Sequence, residues 1–202
     1  VFMGGVDVFA DNDEKPARKV TIDAFWIDKL EVTNEMYMRC MTAGACPPEH
    51  SPTSNTRNDY FHNPAYKDYP VINVYWGDAK AYCEWVGRRM LTEAEWERAA
   101  RGNDLRTYPW GEEQPSDKLV NFNDLIKDTS RVGSYSAGAS PFGALDMAGN
   151  VWEWVADYYD LDYYLTAPAI NPPGPTEIPN HFLHIIRGGS YLDSQYNLRV
   201  SN

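Results

Sequence analysis

At 202 residues the chain can bury one sizeable core, and its length favours a single domain. Its 18 Lys and Arg stand against 29 Asp and Glu, a formal net charge of -11, so its field repels phosphate backbones and anionic lipid heads. Nucleic acid and membrane insertion are therefore excluded as expected modes of action; no apolar run approaches the roughly 20 residues that span a bilayer.

Residues 20–32, VTIDAFWIDKLEV, alternate apolar and polar side chains and predict a strand with a bend. A helix follows at TNEMYMRCM, with Thr33 or Asn34 as N-cap and Glu35 in its first turn. Cys40 and Cys46 flank a short loop containing Gly44, which is compatible both with a local disulfide and with two free thiols; Cys83 reads as a buried free thiol. Residues 47–70, rich in Pro, Asn, Ser, Tyr and His, predict a long surface loop.

The next stretch is the most regular. Ala79, Tyr82, Cys83 and Val86 share one helical face. A further helix opens on Thr92 with Glu95 three residues on, a capping box, and ends at Gly102. Its stripe of Ala94, Trp96, Ala99 and Ala100 predicts packing on a sheet.

Beyond Arg101, frequent Gly, Pro, Asn, Asp and Ser forbid long elements, and only VWEWVADYY reads as a strand. So loop-rich a domain needs an internal staple, and where cysteines are absent a metal ion supplies it. After the Pro-rich TAPAINPPGPTEIP, HFLHIIRGGS returns as strand. His181 and His184, three apart on that strand, point to opposite faces and make a poor chelate. The closing RGGSYLDSQYNLRVSN has a glycine turn and then no regular apolar spacing, unlike a core strand.

Taken together, FMGG, EVTNEMY, PVINVYWGDAKAYCEWVGRRMLTEAEWERAARG, YPWG, DMAGNVWEWVADYY and RGGSY resemble the formylglycine-generating-enzyme, or sulfatase-modifying factor, family over nearly the whole chain. The resemblance implies a single α+β domain of the C-type-lectin-like group, compact, loop-rich and commonly stabilised by calcium. Leu91 stands where the family usually has proline. The family also leads one to expect a closing strand beyond Asn202. A bacterial, secreted or cell-surface location is favoured over a cytoplasmic one.

The residues support calcium independently. DMAGNVWEW offers the Asp146 and Glu153 carboxylates with the Gly149 and Val151 carbonyls between them, hard oxygen donors of the kind calcium prefers. These positions match the family's second calcium site, with Asp146 where relatives often carry Asn. Asn121 and the Phe122 carbonyl match its first, completed by an acid from Asp124 or Asp128. Alternatively, Asp146 and Asn150 close Asx turns and Glu153 caps a helix or is solvated.

Enzymes that convert a sulfatase cysteine to formylglycine carry two cysteines soon after RGGSY, which bind copper and the substrate thiol. Here residues 192–198 are Leu, Asp, Ser, Gln, Tyr, Asn and Leu, without sulfur, and neither a carboxylate nor a leucine replaces a thiolate pair toward monovalent copper. No copper cofactor is expected. Sulfoxide-forming relatives need a three-histidine iron site from a separate helical domain; this chain has only His50, His62, His181 and His184.

Tyr, Asp, Ser and Asn set in a fixed frame also resemble the C-terminal variable region of proteins diversified by retroelements. Tyr191, Leu192, Asp193, Ser194, Tyr196 and Asn197 would be the display positions, exposed together as one patch for a protein or other macromolecular ligand. Trp152 and Trp154 share a strand face that can floor this patch or sit in the core, with Glu153 on the opposite face. The expectation is a non-catalytic binding or display domain. The alternatives are an oxidoreductase of the formylglycine-generating type and a sensor or adaptor module of a larger bacterial protein such as a kinase.

Overall fold

The computed structural model describes residues 1–175 and 183–202. Two short antiparallel ladders frame it. β1 (Phe2–Met3) pairs with β2 (Arg18–Lys19), and β3 (Glu153–Tyr158) pairs with β4 (His184–Arg187), Glu153 lying opposite Arg187 and Tyr158 opposite His184. The register shifts between Trp154 and Tyr158. His184 falls within the described residues and His181 lies outside them.

The two helices whose starts the sequence marks, at Thr33 or Asn34 and at Thr92, begin there. In α1 (Asn34–Thr42) the Thr33 hydroxyl accepts the Met36 amide at 3.2 Å. α2 spans Trp76–Trp85. α3 (Glu93–Arg101) opens on the expected capping box: Thr92 Oγ1 accepts the Glu95 amide at 3.2 Å and Glu95 Oε2 accepts the Thr92 amide at 2.9 Å. One further turn, α4 (Tyr163–Thr166), follows β3. Among the described residues no helix is long and apolar enough to cross a membrane.

The α3 stripe packs as expected. Trp96, Ala99 and Ala100 are buried with Ala144, Met147, Val155 and Val200, while Ala94 joins Met3, Val20, Tyr163 and Tyr164. The helix is buried on its polar side too. Glu97 accepts the Gly4 amide at 2.9 Å and pairs with Arg101 at 3.1 Å and Arg187 at 3.4 Å; Arg187 also meets Glu93 at 3.3 Å. Removing either partner of such a pair strands a charge in low dielectric, so the network fixes how α3 sits against β4.

Three expectations need correction. Residues 20–32 are not a strand: Thr21 bridges Ile170 and Thr33 bridges Pro70, with no ladder between. Alternation sets which side chains turn inward, but a strand needs a partner, and none of the described segments lies in register beside residues 22–30. Trp26 consequently stands 96% exposed. Cys83 is half-buried, not buried, and Val86 is exposed, because α2 ends at Trp85 and its outer face borders an open groove. The 47–70 segment is not all surface either: Tyr60 and Phe61 turn inward, and the Tyr60 hydroxyl donates to the Pro70 carbonyl at 2.6 Å.

Cys40 and Cys46 form a disulfide with their Cα atoms 5.3 Å apart, in a cluster with Tyr37, Phe61 and Tyr82.

Candidate functional site: a C-terminal surface on a loop hub

β4 runs into Gly188 and Gly189, both in the left-handed region (φ 94° and 74°). A Cβ on Gly189 would lie 2.9 Å from the Asn197 carbonyl oxygen, so only glycine lets this turn rest on the returning chain. The Asp193 carboxylate then accepts the Ser190 amide at 2.9 Å and its hydroxyl at 2.6 Å, closing a tight turn.

Two loops hold this turn. The Tyr191 amide donates to the Asn150 carbonyl at 2.9 Å; the Tyr191 and Asp193 carbonyls accept the Asp124 and Asn123 amides at 2.7 and 2.8 Å. Of the display positions none is buried. Leu192 is 59% and Tyr196 47% exposed, Ser194 is exposed, and Tyr191, Asp193 and Asn197 are half-buried. Burial, then the charges of Asp128 and Asp124, raise the Tyr191 hydroxyl above its ordinary range. Tyr196 leans onto Phe9 at a ring separation of 5.0 Å. The closing residues Leu198, Arg199, Val200 and Ser201 are core. The end of the chain is thus a surface of turns followed by a buried anchor.

Asn150 is the hub beneath. Its side-chain amide donates to Glu31 Oε2 at 2.6 Å, its Oδ1 accepts the Ser130 amide at 2.8 Å, and its main-chain amide donates to the Asn121 carbonyl at 2.9 Å. Gly149 must be glycine: a Cβ there would sit 2.4 Å from both the Asn121 oxygen and Val120.

The acids expected in the second calcium set lie in the segments that border this hub. Asp146 Oδ2 accepts the Gly133 amide at 2.6 Å and Glu153 Oε2 accepts the Trp96 indole at 2.6 Å, leaving each with acceptor capacity. Sequence reasoning missed a third acid, Glu31 of the EVTN string, whose carboxylate takes the Asn150 side chain and the Val151 amide. Burial and the charges of Asp146 and Glu153 push the Glu31 carboxyl well above the carboxylate range; burial pushes Glu153 up to about 7. Among the described residues no three His, Cys, Asp or Glu side chains converge tightly enough to chelate an ion unaided, so the Gly149 and Val151 carbonyls would have to complete the set.

The first set does not fit as well. Asn121 Oδ1 is a buried acceptor without a partner, as a cation ligand would be. The Asp128 carboxylate, however, is taken by Ser54, Thr56 and Thr129 at 2.6 to 2.8 Å, with Arg57 at 3.3 Å, so it fastens the 54–57 loop. Asp124 is exposed in the left-handed region, and the Phe122 carbonyl accepts the Leu125 amide at 3.1 Å in a local turn.

Trp154 does not floor the C-terminal surface, and Trp152 reaches only its Asn197 edge. Both line a groove of about 670 Å³ between the 24–32 segment and α2, to which residues 190–202 contribute nothing, and Glu153 lines it with them. The Trp154 indole donates to the Val74 carbonyl at 3.0 Å. Trp152 also borders a second pocket, which Asn197 shares. His50 pairs with Asp78, His62 with Glu49, and His184 is stacked between Trp76 and Tyr158 at 3.8 and 4.1 Å.

The fold and the string of loop motifs define a class. Residues 1–202 match the sulfatase-modifying factor enzyme 1-like domain, and the chain belongs to that family. It is 35% identical to serine/threonine-protein kinase Pkn1 of Chlamydia trachomatis serovar L2 over 94% of this chain, but spans only 32% of that kinase, about a third of its length. It is 30% identical to the formylglycine-generating enzyme of Thermomonospora curvata, over 94% of this chain and 79% of that enzyme. Among solved structures, PvdO from Pseudomonas aeruginosa superimposes with a TM-score of 0.79 at 28% identity, covering all of this chain and 83% of that one. Treponema denticola variable protein 1 gives 0.76 at 20% identity, covering all of this chain and 84% of that one, a likeness of fold. The architecture is the α+β, loop-rich, C-type-lectin-like one that the motifs imply.

Proposed function

We propose that this domain is a non-catalytic binding module that presents residues 191–197 to a protein ligand. The observation that carries the reading is where sulfur lies. Residues 192–198, the region where formylglycine-generating enzymes carry their cysteine pair, hold none; Cys40 and Cys46 are joined, and Cys83 lies on α2 by the 670 Å³ groove, where burial raises its thiol. Asp193 spends its carboxylate on Ser190, and Leu198 is buried with Tyr108, Leu119 and Val120. Capture of monovalent copper and exchange with a substrate thiol both need thiolates that this surface lacks. The surface presents instead exposed Leu192, Ser194 and Tyr196 with half-buried Tyr191 and Asn197, close to the Tyr, Ser and Asn mixture that makes adaptable contact surfaces and consistent with a diversified variable protein of a retroelement. The disulfide supports an oxidising, extracytoplasmic setting.

Calcium is part of the proposal as a structural ion at Asp146 and Glu153, with Glu31 beside them. It would offset the mutual repulsion by which Asp146 and Glu153 raise the Glu31 carboxyl.

A second reading, a sensor or adaptor module within a longer kinase-like protein, is favoured by the kinase relatives matching nearly this whole chain within a third of their own length. It differs in what is attached, not in how the surface binds. Aerobic incubation of the purified chain with copper and a C-x-P-x-R cysteine peptide tests the central claim: mass spectrometry should find no aldehyde, and aldehyde formation above a protein-free control would overturn it.

A further inference from the structure

Residues 5–14 form a loop whose two ends are held by one guanidinium from the far end of the chain. The Gly5 amide closes the loop on the Glu14 carbonyl at 2.9 Å. Arg199 meets the Glu14 carboxylate at 2.6 and 2.8 Å and Asp7 at 3.3 Å, and its Nε donates to the Tyr196 carbonyl at 2.9 Å. Arg199 and Glu14 are buried, so this clasp is a fixed part of the structure. The loop's side chains nevertheless face water. Val8 is 90% exposed and Phe9 55%, with Val6 beside them, and Phe9 lies against Tyr196. An anchored loop that holds apolar groups in solvent continuous with an exposed tyrosine has the form of an interaction site.

Its charge selects the partner. Asp7 lies between Val6 and Val8, and Asp11 and Asp13 follow Phe9 and Ala10. Asp13 accepts the Tyr159 hydroxyl at 2.9 Å and helps line a pocket of about 430 Å³ with Tyr158, Tyr159, Asp160, Tyr163 and Asn197. The arginine lining this pocket, Arg187, is buried and committed to Glu93 and Glu97, whereas neither Asp13 nor Asp160 has a cationic partner among the described residues. Tyrosine rings with unneutralised carboxylates at the rim complement a guanidinium or ammonium group. The net charge of -11 would speed the approach of a basic protein.

Resting on the reading of residues 191–197 as a protein-binding surface, we propose that the 5–14 loop is its other half. The partner is a protein face with a lysine or arginine set among apolar side chains, and the Asp13, Tyr159 and Asp160 pocket receives that cation.

Random cyclic peptides displayed on phage and selected on the full chain are the probe. Enriched peptides should carry Arg or Lys beside Leu or Phe. Their affinity should fall roughly tenfold with Val8→Ser, with the Asp13→Asn/Asp160→Asn pair, and with Tyr191→Ala. The Val8 and aspartate changes lie at exposed or rim positions, and unchanged melting curves would exclude misfolding as the cause. Peptides that lose affinity with Tyr191→Ala but not with the loop and aspartate variants would overturn this inference and leave the binding surface standing. Peptides indifferent to both sets, or no enrichment at all, would overturn both.

Discussion

The main-chain carbonyl of Asn150 accepts the amide of Tyr191 at 2.9 Å, so the loop carrying the expected calcium ligands also holds the first display residue in place. Asn150 is buried and serves Glu31 and Ser130 with its side chain and Asn121 with its main chain. Asn150→Ala leaves one oxygen of the buried Glu31 carboxylate and the buried Ser130 amide without their partner, while the Val151 bond to Glu31 and the main-chain bonds remain. A loss of about 3 kcal/mol in urea unfolding is expected. A loss below about 1 kcal/mol would mean that the side chain is not the hub.

Much of this was legible in the sequence because helix starts and turns are local. Thr92 and Glu95 announce α3 through a reciprocal bond three residues long, and Gly188 and Gly189 announce a turn that needs positive φ. What could not be read was pairing at a distance. Residues 20–32 alternate like a strand, yet alternation carries no information on whether a neighbour exists. Glu31 was missed because its partners, Asn150 and Val151, lie about 120 residues away, and the Arg199 clasp joins Glu14 across 185. The Asp128 role was hidden likewise: its oxygens are taken by residues 54–57, which nothing local to Asp128 signals.

Calcium is expected to stabilise the fold by binding the native state alone. At a free concentration a hundredfold above its dissociation constant the gain is about 2.7 kcal/mol, or roughly 5 to 10 °C in Tm for a chain of this size. Differential scanning fluorimetry with calcium and with excess chelator should show that gap, and Glu153→Gln should abolish it. Identical curves, with no calcium in elemental analysis, would remove the ion from the account.

Acidification to pH 5 should stabilise the calcium-free domain. Burial raises Asp157 to about 6, so the fold holds a proton that the unfolded chain releases. Stability from such a group is complete below about pH 4 and lost as pH rises through about 6. Asp104, lowered to about 2 by Arg106, acts in the opposite sense, but only on further acidification below about pH 4. With calcium chelated throughout, Tm should be several degrees higher at pH 5 than at pH 7.5. Asp157→Asn should shrink the difference, since the amide keeps an acceptor for the Glu93 amide at no charge. A flat or opposite profile would contradict this.

The Cys40 to Cys46 link closes a short loop, six residues in sequence separation, for which chain entropy gives about 2 kcal/mol. Replacing both cysteines with serine should lower stability by that amount or more, because both positions are buried among Tyr37, Phe61 and Tyr82 and would gain a hydroxyl there. Free-thiol titration of the unfolded, unreduced protein should find one thiol, Cys83; three would show that the bond does not form.

Tyr191 and Tyr196 separate binding from folding. Tyr196 is close to half exposed and its ring rests on Phe9, itself exposed; Tyr191 is half-buried, and its structural bonds are made by main-chain atoms. Alanine at both keeps the bonds to Asn150 and Asp124 and removes two aromatic rings from the surface. The cost in stability should be about 1 kcal/mol, near the upper end for exposed positions, with Tyr191 supplying most of it. Affinity for a ligand selected against the wild-type chain should fall far more, about a hundredfold, since rigid aromatic anchors dominate such contacts. Chemical denaturation and surface plasmon resonance on the same samples give both numbers. A double variant that fails to fold would make these residues core, whereas one that folds and binds as wild type would place the ligand elsewhere.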